Sequence, residues 1–302
     1  MRRFKTVLGS IPENEIGITL SHEHIFCYSE YLYTMAGRAY LNKEKLVSRA
    51  VGYLKERKEK YGLNTFIDCT PVNIGRDIAL LKEVSRQSGV HIICATGFYH
   101  TQEPLLGNLG VDRIADYIIA DANNVNAGII KCAVEDETIS PFDEKILKAT
   151  VKAQLALGLP IVLHSNANNQ NGLKALDILL SEGVRPQAIT VGHLSDTDDL
   201  EYIKQIAKQG CFIGFDRLYE NKTSQYITKT VDKIISLCDL GYGDRILLSH
   251  DALFFNGFEA EPKINETPRF SYVFDHILPL LPKHMAQLLI KENPVAMLKC
   301  GE

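Results

Sequence analysis

Two histidines one residue apart, His22 and His24 in SHEHIF, are the first side chains in this sequence with an evident chemical use. On an extended strand successive side chains alternate faces, so both imidazoles share one face and Glu23 takes the other. Related residues follow: Lys131 in AGIIKCA, His164 in PIVLHS, His193 in ITVGHL and Asp251 in ILLSHD. Imidazole nitrogens and carboxylate oxygens are the ligands of zinc and similar divalent ions. Each residue alone has a plainer reading. A lone strand-end histidine is usually a hydrogen-bonded structural residue, HxH by itself is a weak motif, and a strand-closing aspartate is commonly a helix cap. A lysine inside an apolar strand is harder to dismiss, because burying an unpaired ammonium costs several kcal/mol. Six such residues, each at or near the end of a short apolar run, make the plain readings jointly improbable. Metal binding accounts for them better.

Short apolar runs must position these groups. Eight read as strands, at 17–20, 65–69, 91–95, 127–133, 160–163, 188–192, 211–215 and 245–249. Helical patterns lie between and after them, at 43–61, 76–88, 111–120, 141–157, 172–182, 198–209, 224–240 and 270–299. Continuous apolar strands alternating with helices imply a parallel sheet covered on both faces. A dinucleotide-binding open sheet would show a glycine-rich turn after its first strand, and SHEHIF has no glycine. The expected fold is therefore α/β, a single TIM (β/α)8 barrel over residues 1–302, with its site at the C-terminal ends of the strands.

Strand parity sorts further residues. Leu247, Ser249 and Asp251 share one face, so His250 looks toward the helices and is not expected to be a ligand. His91 begins its strand at the opposite rim, and His276 and His284 belong to the closing helical stretch. His100 lies in a loop on the site side, within reach of a substrate. In 211–217, Cys211, Ile213, Phe215 and Arg217 share a face; taken as the inward set, they place Arg217 at the barrel mouth.

Composition narrows the function classes. The 302 residues are 45% hydrophobic and 23% charged, which fits a globular protein and not a disordered or fibrous one. A net charge of −4 and an isoelectric point near 6.2 exclude a general basic surface for nucleic acid. No apolar run approaches the ~18 residues of a membrane span, and MRRFKTVLGSIPENEIG lacks a signal-peptide core. The seven cysteines are odd in number and form no CxxC pair, which argues against a disulfide framework or a thiolate zinc site. The expectation is a reduced, cytoplasmic, soluble protein with neither nucleic acid nor membrane as partner.

Taken in order, TLSHEH, ICATGFY, AGIIKCA, TISPFDEKILKATVKAQLALGLPIVLHS, TVGHLSDTDD, IGFDR and ILLSHD resemble the phosphotriesterase family of the amidohydrolase superfamily, in particular its lactonase branch. The resemblance spans nearly the whole chain. It implies a binuclear metal site held by His22, His24, Lys131, His164, His193 and Asp251, with Lys131 carboxylated (N6-carboxylysine), and a homodimer. Physical chemistry agrees with the modification. A carbamate offers two oxygens to bridge cations about 3.5–4 Å apart, which an ammonium cannot do. Two divalent ions, one carbamate, one aspartate and one hydroxide leave one positive charge, matched to an oxyanion forming on substrate. The implied nucleophile is the metal-bridging hydroxide, with Asp251 taking its proton. Zinc is the default ion for these ligands; iron, cobalt and manganese also suit them.

Two positions separate the branches. Arg217 stands where the phosphotriesterases proper carry histidine and the lactonases arginine, and Tyr99 where they carry tryptophan and tyrosine respectively. The resemblance thus implies a small-molecule lactonase with Tyr99 and Arg217 binding substrate: sugar lactones, phosphorylated or not, or acyl-homoserine lactones. Phosphotriesters or carboxylic esters are the alternative substrates, and all six ligand types being present argues against a non-enzymatic binding barrel. The loops HTQEPLLGNLG and LYENKTSQY are short for a long acyl chain. In the loop after the last strand, Phe254, Phe255 and Phe258 could line an apolar pocket, while Lys263 and Arg269 could meet a phosphate. Asp196 is either a relay behind Asp251 or the cap of the next helix.

Overall fold

The apolar runs become strands because both faces of the sheet they build are covered. The structure, a computed structural model, describes residues 2–101, 103–218, 223–259, 263–264 and 269–299. The side chains of Lys263 and Arg269, and with them the expected phosphate contact, lie outside the described residues, as does 219–222 of LYENKTSQY.

A hairpin of β1 (Arg3–Thr6) and β2 (Gly9–Pro12) precedes β3 (Ile18–Cys27), α1 (Glu30–Ala36), α2 (Lys43–Tyr61) and β4 (Leu63–Asp68). Then come α3 (Ile78–Ser88), β5 (His91–Gly97), α4 (Pro104–Gly107), α5 (Val111–Val125), β6 (Ile129–Ala133), α6 (Pro141–Leu157), β7 (Ile161–His164), α7 (Asn171–Ser181) and β8 (Ile189–Val191). The chain continues through α8 (Leu200–Lys208), β9 (Phe212–Phe215), α9 (Ser224–Asp239), β10 (Ile246–Leu248), β11 (Leu253–Asn256) and β12 (Lys263–Ile264). Helix ends follow local chemistry. The Ser140 hydroxyl accepts from the Asp143 N–H and Pro141 opens α6, whose last turn gives way to Gly158 at φ 62°.

β3 to β10 lie side by side in sequence order and run parallel, and β11 adds to the other side of β3, also parallel. Only four residues separate β10 from β11. The Ser249 N–H still donates to Phe215 O (3.1 Å), whereas the Asp251 N–H donates to His22 O (3.0 Å) and the His24 N–H to Ala252 O (3.0 Å). The chain leaving one end of the sheet thus joins the other. The result is a mostly parallel curled sheet with helices around it, consistent with a TIM-like α/β fold.

Two apolar clusters separate the faces. Phe66, Ile92, Ile130, Leu163, Val191, Ile213, Phe215 and Leu248 pack toward the helices. Ile67, Ile93, Ile129, Val162, Phe212 and Leu247 fill the inside of the curl, joined by Phe4 and Ile16. This corrects the parity taken for 211–217: Phe212, not Ile213 and Phe215, is inside, so the inward set is Phe212, Gly214 and Asp216. The first strand also runs past 20, so His22 and His24 sit within β3, beyond a register shift between Leu20 and Glu23. The hairpin and β11 were not expected. Residues 270–299 form short 3-10, π and α turns in place of one helix, because Pro279 and Pro282 each lack a donor N–H. No described helix is long and apolar enough to cross a membrane. Cys27, Cys69, Cys94, Cys132, Cys211 and Cys238 are free thiols.

Candidate metal centre

Alternation from the inner cluster carries Ile129 to Lys131 and Val162 to His164, so two strands deliver polar groups to one end of the curl, where Asp251 joins them from beyond the end of β10. His22 and His24 arrive from β3. His193 would face outward by simple alternation after Thr190 and Gly192, but it adopts the left-handed conformation (φ 64°), as does Asp251 (φ 49°). Such conformations are uncommon outside glycine and persist only where the surroundings impose them.

The six side chains converge. His22 Nε2 lies 2.8 Å from Lys131 Nζ and 3.5 Å from Asp251 Oδ1, and His24 Nε2 lies 3.1 Å from the same oxygen. His193 Nε2 is 2.7 Å from His164 Nδ1. His22, His193 and Asp251 offer ligand atoms all within 4.8 Å of one another. Outer partners orient the rings. Asp216 takes His22 Nδ1–H on Oδ2 (2.7 Å) and the His193 backbone N–H on Oδ1 (2.7 Å), with His193 Nδ1 3.0 Å from that same oxygen. Glu135 Oε2 stands 2.8 Å from His164 Nε2, and Thr70 Oγ1 2.8 Å from His24 Nδ1. With those nitrogens donating outward, the inner nitrogens of His164 and His193 face each other and that of His22 faces Lys131 Nζ. One shared proton satisfies His164 and His193 at 2.7 Å. The fit to a metal rests on the donor set: imidazoles and a carboxylate, with ligand atoms of His22, His193 and Asp251 within 4.8 Å of one another and each ring turned by an outer partner.

Titration behaviour agrees for His22 and His164. Burial, then the Lys131 ammonium, pushes His22 down to about 3, and burial with His193 holds His164 well below the usual histidine range. Both are neutral, as ligands must be. Burial also lowers His24, but Cys27 and Asp251 outweigh it and bring the ring to about 10. For Asp251 and Asp216 burial works against ionisation and the neighbouring histidines prevail, keeping both below the ordinary carboxylate range. Lys131 is fully buried against His22, and among the described residues no carboxylate pairs with its Nζ. A carbamate would replace that unpaired charge with two ligand oxygens.

Comparison with known families matches residues 2–298 to the phosphotriesterase family. The chain belongs to it. Among relatives, the aryldialkylphosphatase of Saccharolobus solfataricus is 34% identical, over 94% of this chain and 96% of its own length. The phosphotriesterase homology protein of Mycobacterium tuberculosis is 28% identical over 94% and 92%, and the N-acetyltaurine hydrolase of Homo sapiens 26% identical over 82% and 84%. The protein is thus a hydrolase of the phosphotriesterase family, whose members are metal-dependent and act on small molecules.

Above the phosphotriesterase-family site lies a cavity of about 230 Å³, walled by Tyr99, Ile74, Leu253 and Phe258 and floored by His24, Lys131 and Asp251. Phe254 and Phe255 are buried in the core, so of the three expected aromatics only Phe258 reaches this space. The Tyr99 ring stands 5.1 Å from that of His164 and 4.3 Å from that of His100. Burial, then Asp251, raises its phenol to about 12, which keeps it a donor. The Asn73 amide grips the Tyr99 backbone, accepting from its N–H (2.9 Å) and donating to its carbonyl (3.1 Å). Arg217 reaches the mouth from beyond the strand end, where alternation no longer applies. Its Nε donates to Asp251 Oδ2 (2.9 Å) and its Nη1 to Asp196 Oδ2 (2.8 Å). The helix-cap reading of Asp196 falls away, because Asp199 caps α8. Asp216, Glu135 and Asn73 were not singled out from the sequence. The small residues Gly192 and Gly214 were the available signal for Asp216: a Cβ on either would meet its Oδ2 at 3.0 or 2.7 Å.

Proposed function

We propose that the protein is a metal-dependent lactonase, a single closed (β/α)8-barrel domain spanning residues 1–302. In this reading His22, His24, Lys131 as N6-carboxylysine, His164, His193 and Asp251 hold two divalent ions, zinc first, with iron, cobalt or manganese also suited. When bound, the ions supply a Lewis acid for the substrate carbonyl and a water of lowered pKa. Asp251 takes up the proton released on attack and returns it to the ring alkoxide as the ester C–O bond breaks. Arg217 holds Asp251 Oδ2 and so keeps that carboxylate aimed, while Asp196 anchors the guanidinium. The Tyr99 phenol, protonated at neutral pH, donates to the lactone oxygens.

The observation that carries the choice of lactone is the cavity. At about 230 Å³ it is below the usual range of about 300–1,000 Å³ for ligand pockets, and it suits a compact cyclic ester better than a phosphate bearing three substituents. The phosphotriester or ester reading is favoured by the 34% identity to a protein named aryldialkylphosphatase. A panel of small lactones, phosphorylated sugar lactones, acyl-homoserine lactones, an aryl dialkyl phosphate and an aryl ester, assayed on metal-loaded protein, decides between them. The lactones are expected to show the highest kcat/KM; a phosphotriester tenfold above every lactone would replace this reading with the second. We further infer a cytoplasmic homodimer. The exposed apolar side chains of Tyr31, Leu32, Met35 and Leu105 support the dimer, and the free thiols support the compartment. Light scattering giving the mass of one chain would remove the dimer.

A further inference from the structure

Glu23, between the two histidines of β3, is fully buried and turned away from the metal ligands. Its Oε1 accepts from Ser249 Oγ (2.7 Å), from the His250 backbone N–H (2.9 Å) and from His250 Nδ1 (2.5 Å), and its Oε2 accepts from the Ala252 N–H (3.0 Å). The Val273 N–H donates to His250 Nε2 (3.1 Å), which puts the imidazole hydrogen on Nδ1, facing Glu23. Ser249 Oγ also accepts from the His22 N–H (3.0 Å). One carboxylate therefore holds three of the four residues that bridge β10 to β11. The fourth is Asp251, in the left-handed conformation with its own N–H bound to His22 O.

We infer that Glu23 is a positioning residue for the reaction: it imposes the backbone conformation that directs Asp251 at His22, His24 and Arg217. The inference rests on the proposed role of Asp251 as proton acceptor. Four donors converge on Glu23, and its two oxygens accept from all of them. A glutamine of the same shape must turn an N–H toward one of those donors, at a site sealed from solvent where the conflict is not relieved. Asp251 would then lose the enforced conformation, while the ligands on the other strands stay in place.

The test is Glu23→Gln in the full-length, metal-loaded protein, with kcat, KM, metal content and melting temperature measured on one substrate beside Asp251→Asn. The expected result is a kcat lowered by about 10–100-fold, with KM within about twofold and metal content no lower than that of Asp251→Asn. A wild-type kcat in Glu23→Gln beside an inactive Asp251→Asn overturns the inference, and so does a metal loss greater than that of Asp251→Asn, which would mean that Glu23 holds ligands besides Asp251. An unchanged kcat in Asp251→Asn instead removes the role given to Asp251. Should Glu23→Gln not fold, Ser249→Ala removes one donor and the link to His22. Its kcat is expected to fall about 3–10-fold at unchanged KM, and a wild-type kcat there overturns the inference equally.

Discussion

The backbone on either side of Asp251 is held by Glu23, and His22 and His193 by Asp216, two carboxylates sealed from solvent, whereas across the cavity His164 is held by Glu135, which is 39% exposed. Tyr99, on that second side, depends on the partly exposed Asn73 amide. Hydrogen bonds away from water are stronger and costlier to break, so the first side is rigid around the groups expected to move protons and hold metal. The second joins His164 at the end of β7 to the loop residues Glu135 and Asn73, nearer to water, as suits a wall that selects substrate beside the metal. Chemistry and selectivity are therefore separable here.

Lys131→Ala strikes where the two sides meet and should have the largest effect. Metal content and activity fall together, activity by about 10³-fold or more, and both return partly with added short carboxylic acids, which replace the bridging oxygens. Full activity without such rescue would contradict a carboxylated lysine. Acid should next expose the rigid side in metal-free protein. His22 is lowered from 6.5 to about 3 and His164 is also lowered, so below pH 6.5 the unfolded chain binds protons that the folded one refuses. Stability then falls as pH drops from 6.5, by up to about 1.4 kcal/mol per pH unit for each ring. Denaturant midpoints between pH 7 and 4 measure it, and a flat profile would mean the rings are not held neutral.

A smaller effect is expected from Glu135→Gln, which weakens the charge behind His164 at a partly wet position. Metal affinity should fall by about tenfold, toward the low end for such partners, as competition with a chelator would read. An affinity loss matching that of Asp216→Asn would erase the contrast between the sides. Asn73→Ala should be the mildest: it frees the Tyr99 backbone and raises KM about 3–10-fold with kcat nearly unchanged. A kcat effect larger than the KM effect would place Tyr99 on the chemical side.

The strands were legible because burial on both faces leaves continuous apolar runs bounded by turns. Lys131, His164 and Asp251 were legible as the polar residues closing such runs. The same property hid the phase of β9. Phe212, Ile213 and Phe215 are all apolar, so nothing in 211–217 told inside from outside, and Arg217 was placed by the wrong alternation. His193 escaped parity for a different reason, since its left-handed turn reverses the direction its side chain would take. Glu23 was read only as the residue facing away from the histidines, because its partners stand 226 or more residues further along the chain.

That separation bears on the order in which the molecule assembles. His24 and Asp251 lie 227 residues apart, and the contacts of 249–252 with β3 join the last parallel strand to the first. Contacts of such long range form slowly, after local helices and neighbouring strands. The seam of the sheet and the reactive centre are one place, so a chain still open at 249–252 has most of its secondary structure and no catalytic machinery. During refolding, the helical signal should recover before any turnover does, and activity becomes a clock for the last step of closure.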